Sequence, residues 1–517
     1  MKRFRIAVLA VVFAVCVLPL LLGQVQPPAA STPQPTAAAG ATDTGPTASE
    51  KKITAYTLPP DLYEKAHDRS RIHFRLALIG FVYGLAVLWL ILRWKLAARY
   101  RDWAERFSYR RFVQSLLFSP LLLLTIAVLS LPLDIYGEMV EKRYGISVQG
   151  WGSWSWDWIK AELIGLVIGT ILIWLLYMVI RRSPRRAWFY FWLMAVPIGV
   201  FIFFLGPWVI DPMFHKFEPL QQKDPALTAS LEQMVQRAGE NIPPERMFWM
   251  GAGEKTTGLN AYVTGIGASK RMVVFDTTIA KMNNRQIVYV AGHETGHYVL
   301  QHIPKGLAFF AALLLLFFYL VHRLIGWVLT RWGAAWEVRG LDDWASLPAL
   351  LFLLSLLFFV TNPVASAFSR HLEHQADQFG LEVTHGLTPD SGQVAAQAFQ
   401  VLGEVDLADP DPNPVNVFLY YDHPPISDRV NFCLTYDPWE LEGKGSSSSR
   451  PSEGSLERGP SNGGLNTGQK GFSHMTPTRL RAVVGQNPML CPVVRLYQNP
   501  QFRPLQPALK ILGLRTR

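Results

Sequence analysis

Six apolar runs restrict this chain more than any other feature: positions 76–92, 113–133, 163–180, 188–210, 307–329 and 347–368. About 20 helical residues cross the hydrocarbon core of a bilayer, so each run spans it alone or nearly so. The fifth is interrupted by His322 and Arg323. The alternative is the buried helices of a large soluble enzyme. Arginine clusters flank the runs, however, and a tryptophan-rich segment, WGSWSWDW at 151–158, precedes the third, as expected at membrane interfaces. Half of the 517 residues are hydrophobic and only 17% are charged, which agrees with a polytopic helical membrane protein.

The net charge of +10 would suit a nucleic-acid partner. The basic residues instead sit in short clusters beside the apolar runs, where they set topology, and no nucleic acid is expected. Cys16, Cys433 and Cys491 are too few for a disulfide framework, and their spacing fits neither a zinc knuckle nor a CxxC pair. Any metal must therefore be held by histidine and carboxylate.

Residues 1–24 read as a signal peptide or signal anchor: three basic residues and then an apolar stretch, with no clear cleavage site. Residues 25–55 form a linker rich in Pro, Ala and Thr that cannot bury a core. A bundle of four spans occupies 56–210, and a hairpin of two spans occupies 307–368. The polar segments 211–306 and 369–442 must supply whatever works outside lipid, and 443–517 is a flexible basic tail.

The chemistry lies in AGHETGHYVLQH, 291–302. On a helix, His293 and His297 at i and i+4 share a face and reach a single ion. Neutral imidazole is a good zinc ligand, while Glu294 lies beside the metal and can take a proton from attacking water. A satisfied pair of core histidines is the bland alternative. A catalytic zinc needs a third protein ligand and an open position. The extended motif HExxHxxGxxH is excluded, because positions 300 and 303 are Leu300 and Ile303. The best source is NPVASAFSRHLEHQADQFG, 362–380, where Glu373 and Asp377 stand at i and i+4 of an expected helix. One carboxylate can bind the ion while the next orients a ligand histidine. His371 and His374 compete, but they lie on other helix faces and are expected to be solvated.

HETGHYVLQH, FSRHLEHQAD and DHPPISDRV (422–430), in this order and with a pair of spans between the first two, resemble the type I CaaX prenyl protease family of integral-membrane zinc metalloendopeptidases. The resemblance covers roughly residues 56–432. It implies His293, His297 and Glu373 as ligands of one zinc ion, Glu294 as general base and Asp377 as support for a ligand histidine. It further implies that Asn260, Ala261 and Tyr262 lie on an edge strand that pairs with an extended peptide substrate. His423 and Arg429 would donate hydrogen bonds to the tetrahedral oxyanion. His302 also matches the family, and its simplest reading is a polar helix end.

The expected fold is mainly α: a polytopic transmembrane bundle carrying a small α+β, gluzincin-like metalloprotease domain assembled from 211–306 and 369–442. Its partners would be membrane-proximal peptides or proteins and the bilayer itself. Arg93, Lys95, Arg99, Arg101, Arg106, Arg110 and Arg111, together with RRSPRR at 181–186, far outnumber the basic residues of 134–160. By the positive-inside rule those loops are cytoplasmic and the catalytic segments lie on the other face. The CaaX proteases of eukaryotes are understood to present theirs to the cytosol, so a prenylated cytosolic substrate does not follow. A quality-control protease of the same chemistry and a non-catalytic scaffold with a structural metal are the competing readings.

Overall fold

The computed structural model describes residues 52–439 apart from position 266. The leader, nearly all of the linker and the basic tail, with Cys16 and Cys491, lie outside the described residues. Cys433 is buried and free.

Among the described residues, six helices are long and apolar enough to cross a membrane. In chain order the helices are α1 (Pro60–Arg93), α2 (Leu96–Phe107), α3 (Arg111–Arg143), α4 (Trp151–Arg182), α5 (Ala187–Leu205), α6 (Leu220–Lys223), α7 (Pro225–Arg237), α8 (Asp276–Lys281), α9 (Asn284–Val299), α10 (His302–Trp332), α11 (Leu347–Thr384), α12 (Ser391–Val405), α13 (Pro414–Tyr420) and α14 (Ile426–Thr435). The spans are α1, α3, α4, α5, α10 and α11. Pro120, Pro132 and Pro197 sit inside α3 and α5, where neighbouring helices can tolerate the lost backbone bond. Apart from Ala187, α5 buries none of its residues against protein, as expected of a helix turned to lipid.

Several helices outrun their apolar stretch. The first begins four turns before position 76, because its polar early turns pack on protein: Arg69 holds Glu141 at 2.9 Å and reaches the carbonyl of Asp406 at 3.1 Å. The sixth matters most. It runs as one helix, with Pro363 inside it, from lipid into the polar domain, so Glu373 and Asp377 ride on the same helix as the span.

The loops after α1, α4 and α10 meet at one end of the bundle. There α2 docks on the loop before α11 through Arg101 and Asp343, and Arg181 lies 4.1 Å over the fully buried Trp344 ring. The polar domain lies at the other end. Its sheet has β1 (Lys216–Pro219), β2 (Met247–Gly251), β3 (Ala261–Thr264) and β4 (Arg271–Phe275) in the order β1-β2-β4-β3. Only β2 and β4 are parallel; β3 pairs antiparallel with β4, Ala261 opposite Val274, and is an edge.

Candidate active site

Small residues bring the two halves of the site together. A reciprocal cap between Asn283 and Gln286 fixes the start of α9. Gly292 and Gly296, one turn apart, then face α11. A Cβ at Gly292 would meet Val383 at 2.9 Å, and one at Gly296 would meet Phe379 at 2.9 Å. Gly380 on the facing helix lies against the backbone of His293. With these glycines α9 can press onto α11, and His293 and His297 arrive beside Glu373.

These three are the described residues able to share one ion, with a ligand atom from each lying within 4.8 Å of the others. The two Nε2 atoms are 3.2 Å apart; Glu373 Oε2 is 3.3 Å from His293 Nε2, and its Oε1 is 3.5 Å from His297 Nε2. Glu373 Oε2 is buried and has no hydrogen-bond partner among the described residues. Nitrogens of His293, His423 and Arg429 surround it within 4 Å, and a cation seated between the imidazoles would satisfy its remaining capacity. The donor set, two imidazoles and one carboxylate, fits a catalytic zinc.

Behind the ligands, His293 Nδ1 lies 2.8 Å from Asp377 Oδ1, and Arg429 grips both oxygens of Asp377. Burial opposes a proton on His293, but its bonds to Asp377 and Glu373 prevail and lift it to about 9. Burial and the neighbouring His293 push His297 down to about 3. The carboxylates of Glu373 and Asp377 beside these imidazoles set up the negative potential that a bound cation meets. Burial raises the Glu294 carboxyl above its usual range. Glu294 lies 4.0 Å from His293 Nε2 and keeps its side chain partly open to the cleft.

His423 stands on the open side, half exposed, with Nε2 3.3 Å from Glu373 Oε2 and Nδ1 held by Asp422 at 2.9 Å. The expectation that Arg429 joins it as an oxyanion donor needs correction. Arg429 is buried, paired with Asp377 and stacked over Phe399 at 4.1 Å, so it stands behind His293 and away from the open cleft. Ala261 and Tyr262 fall on edge strand β3, with Asn260 just before it. The amide and carbonyl of Asn260 are already bonded to Thr278 and Phe275, and Tyr262 Oη reaches Asp211 at 3.2 Å. His371 and His374 stand off the site; the first contacts Gln375 and the second packs on Phe432.

Sequence reasoning missed two partners. His302 is buried, contrary to a polar helix end, and touches His297, while Gln375 touches His302. The only trace of this in the chain is the spacing HxxxxH from 297 to 302.

Comparison with known proteins gives the family. The profile described as CAAX prenyl protease N-terminal, five membrane helices, matches residues 46–216, and that of peptidase family M48 matches 221–436. An uncharacterized metalloprotease of Bacillus subtilis (strain 168) is 34% identical over 72% of this chain and 85% of its own. The chain belongs to the type I CaaX prenyl protease family, peptidase family M48. It is a multi-pass membrane metalloendopeptidase, and the scaffold reading falls. CAAX prenyl protease 1 of Saccharomyces cerevisiae is 26% identical over 74% of this chain and 89% of its own. The crystal structure of S. mikatae Ste24p superposes with a TM-score of 0.62 at 22% identity, covering 73% of this chain and 90% of that one, and so shares the fold.

Proposed function

We propose that His293, His297 and Glu373 hold one zinc ion per chain, and that this membrane peptidase uses it to cut polypeptides presented close to the bilayer. The buried Glu373 carboxylate, facing two converging imidazoles within 3.5 Å, carries this reading. Zinc bound there would polarise the scissile carbonyl and acidify its water.

The chain's own residues do the rest. Glu294, whose carboxyl burial makes more basic than usual, accepts the proton of the attacking water and passes it to the leaving amine. His423, steadied by Asp422, donates to the oxyanion from the open side. Asp377 accepts a hydrogen bond from Nδ1–H of His293 and so turns its Nε2 lone pair to the ion; Arg429 holds Asp377 in place. An extended substrate adds to the free edge of β3. Asn260 stands exposed at its lip and Ala261 and Tyr262 lend backbone, since their side chains are already packed.

We assign 211–306 and 369–442 to one catalytic domain on two spans of support, and place it on the non-cytoplasmic face. Support comes from the loops after α1 and α4, rich in arginine, which lie at the opposite end of the bundle. Substrates would then be exported or membrane-anchored chains, prenylated or not.

Cleavage of a quenched peptide by purified protein, with and without a chelator, tests the chemistry. Activity should vanish with chelation and return with zinc; cleavage indifferent to chelator would refute it. Equal turnover of prenylated and plain peptides would count against a lipid-selective enzyme. Labelling of Glu254→Cys by an impermeant maleimide in intact cells should succeed if the domain faces outward, and only after lysis if it does not.

A further inference from the structure

We infer that His302 is a positioning residue for the metal ligand His297, acting through a hydrogen-bond relay that continues to Gln375 and His371. The inference rests on the zinc reading above. Between α9 and α10 the chain turns at Gln301, which adopts a left-handed backbone, φ 58°. That turn folds the first residue of the fifth span back beneath the metal helix, where His302 is only 3% exposed. Its Nδ1 lies 3.1 Å from His297 Nδ1, its Nε2 lies 3.1 Å from Gln375 Oε1, and Gln375 Nε2 lies 3.2 Å from His371 Nε2.

Counting donors gives this chain a direction. For His297 to offer Nε2 to an ion, its proton must sit on Nδ1. That proton can be donated only if His302 Nδ1 is the acceptor, which places the His302 proton on Nε2. There it meets the amide oxygen of Gln375, whose NH2 group in turn donates to His371. Every contact is satisfied by this one assignment. Reversing it at His302 would set two N–H groups against each other or leave an N–H unpaired in the interior.

The two histidine ligands are therefore held differently. His293 leans on a carboxylate, Asp377, and His297 on a neutral imidazole. The relay also joins α9 to the first turn of the fifth span and to the sixth, so the aim of His297 depends on the seating of two membrane helices. A purely structural knot would tie the same helices together but leave metal binding indifferent to the direction of the bonds.

The test uses full-length protein in detergent: wild type, His302→Phe, His302→Asn and Gln375→Leu. Zinc affinity is read by competition with a fluorescent chelator, ligand geometry by the visible spectrum of the cobalt-substituted protein, and kcat and KM on a quenched peptide. Loss of an outer-shell partner of this kind should weaken zinc binding in His302→Phe by about 10- to 100-fold. Its cobalt spectrum should shift, and kcat should fall while KM stays within about twofold. His302→Asn places its Oδ1 near the position of the His302 Nδ1 acceptor, and should recover most of the affinity. Wild-type affinity and spectrum in His302→Phe, or equal losses in His302→Phe and His302→Asn, would overturn the relay. Should His302→Phe not fold, Gln375→Leu decides: weaker zinc binding upholds the relay, and unchanged binding overturns it. Wild-type protein that takes up no zinc would instead sink the metal reading itself.

Discussion

Two buried arginine–aspartate pairs stand at opposite ends of this molecule, and they serve different ends. At the basic end Arg101 meets Asp343 at 2.5 Å, and the spare capacity of Asp343 is taken by the amides of Arg339 and Ala345. Arg101 also bonds the carbonyl of Glu337. Every bond closes within this joint, and the result is a latch that fixes α2 to the loop before the sixth span. At the catalytic end Arg429 meets Asp377, but Asp377 also holds His293, and the neighbouring Glu373 keeps a buried oxygen with no hydrogen-bond partner. The same pair of residue types thus makes a closed joint in one place and the back wall of an open site in the other. What separates them is polar capacity left unfilled.

The contrast can be broken or sharpened by substitution, ranked by effect on turnover. Glu294→Gln should lower kcat by about 10²- to 10⁴-fold while zinc content is kept, as for loss of a general base; full activity would remove Glu294 from the mechanism. Asp377→Asn should weaken zinc binding by about 10- to 100-fold in a chelator competition, because His293 loses its anionic support. Gly296→Ala should cost about 1–3 kcal/mol in thermal or chemical unfolding, since its Cβ would lie 2.9 Å from Phe379, and should lower zinc affinity by parting α9 from α11. Arg101→Met should destabilise by about 3–5 kcal/mol, leaving Asp343 buried and unpaired, yet leave kcat of the folded protein unchanged. Adding Asp343→Asn should recover much of that loss. A fall in kcat for Arg101→Met would mean that the latch and the site are coupled.

Much of this could be read from the chain. The apolar runs gave the spans because length and hydrophobicity suffice to decide insertion, and the i, i+4 spacing gave the shared face of His293 and His297 because helical periodicity fixes it. The edge position of Ala261 and Tyr262 and the approach of Glu373 came from likeness to a family, not from local pattern. The runs understated helix length: the polar first turns of α1 are stabilised by Arg69 and its partners, which no hydropathy window registers. Arg429 was misjudged for a similar reason. A lone arginine in a proline-led segment carries no sign of facing Asp377, a partner on another helix. His302 was illegible because its burial depends on one left-handed residue, Gln301, and on α11, whose Gln375 meets it.

On this reading His293, His297 and Glu373 share a single zinc ion. Elemental analysis of the purified wild-type protein beside Glu373→Ala tests it most directly. One zinc per chain in the wild type, falling to near zero in the variant together with peptide cleavage, is the expected result. Zinc retained in full by Glu373→Ala, or a wild-type enzyme that cleaves without bound metal, would contradict it.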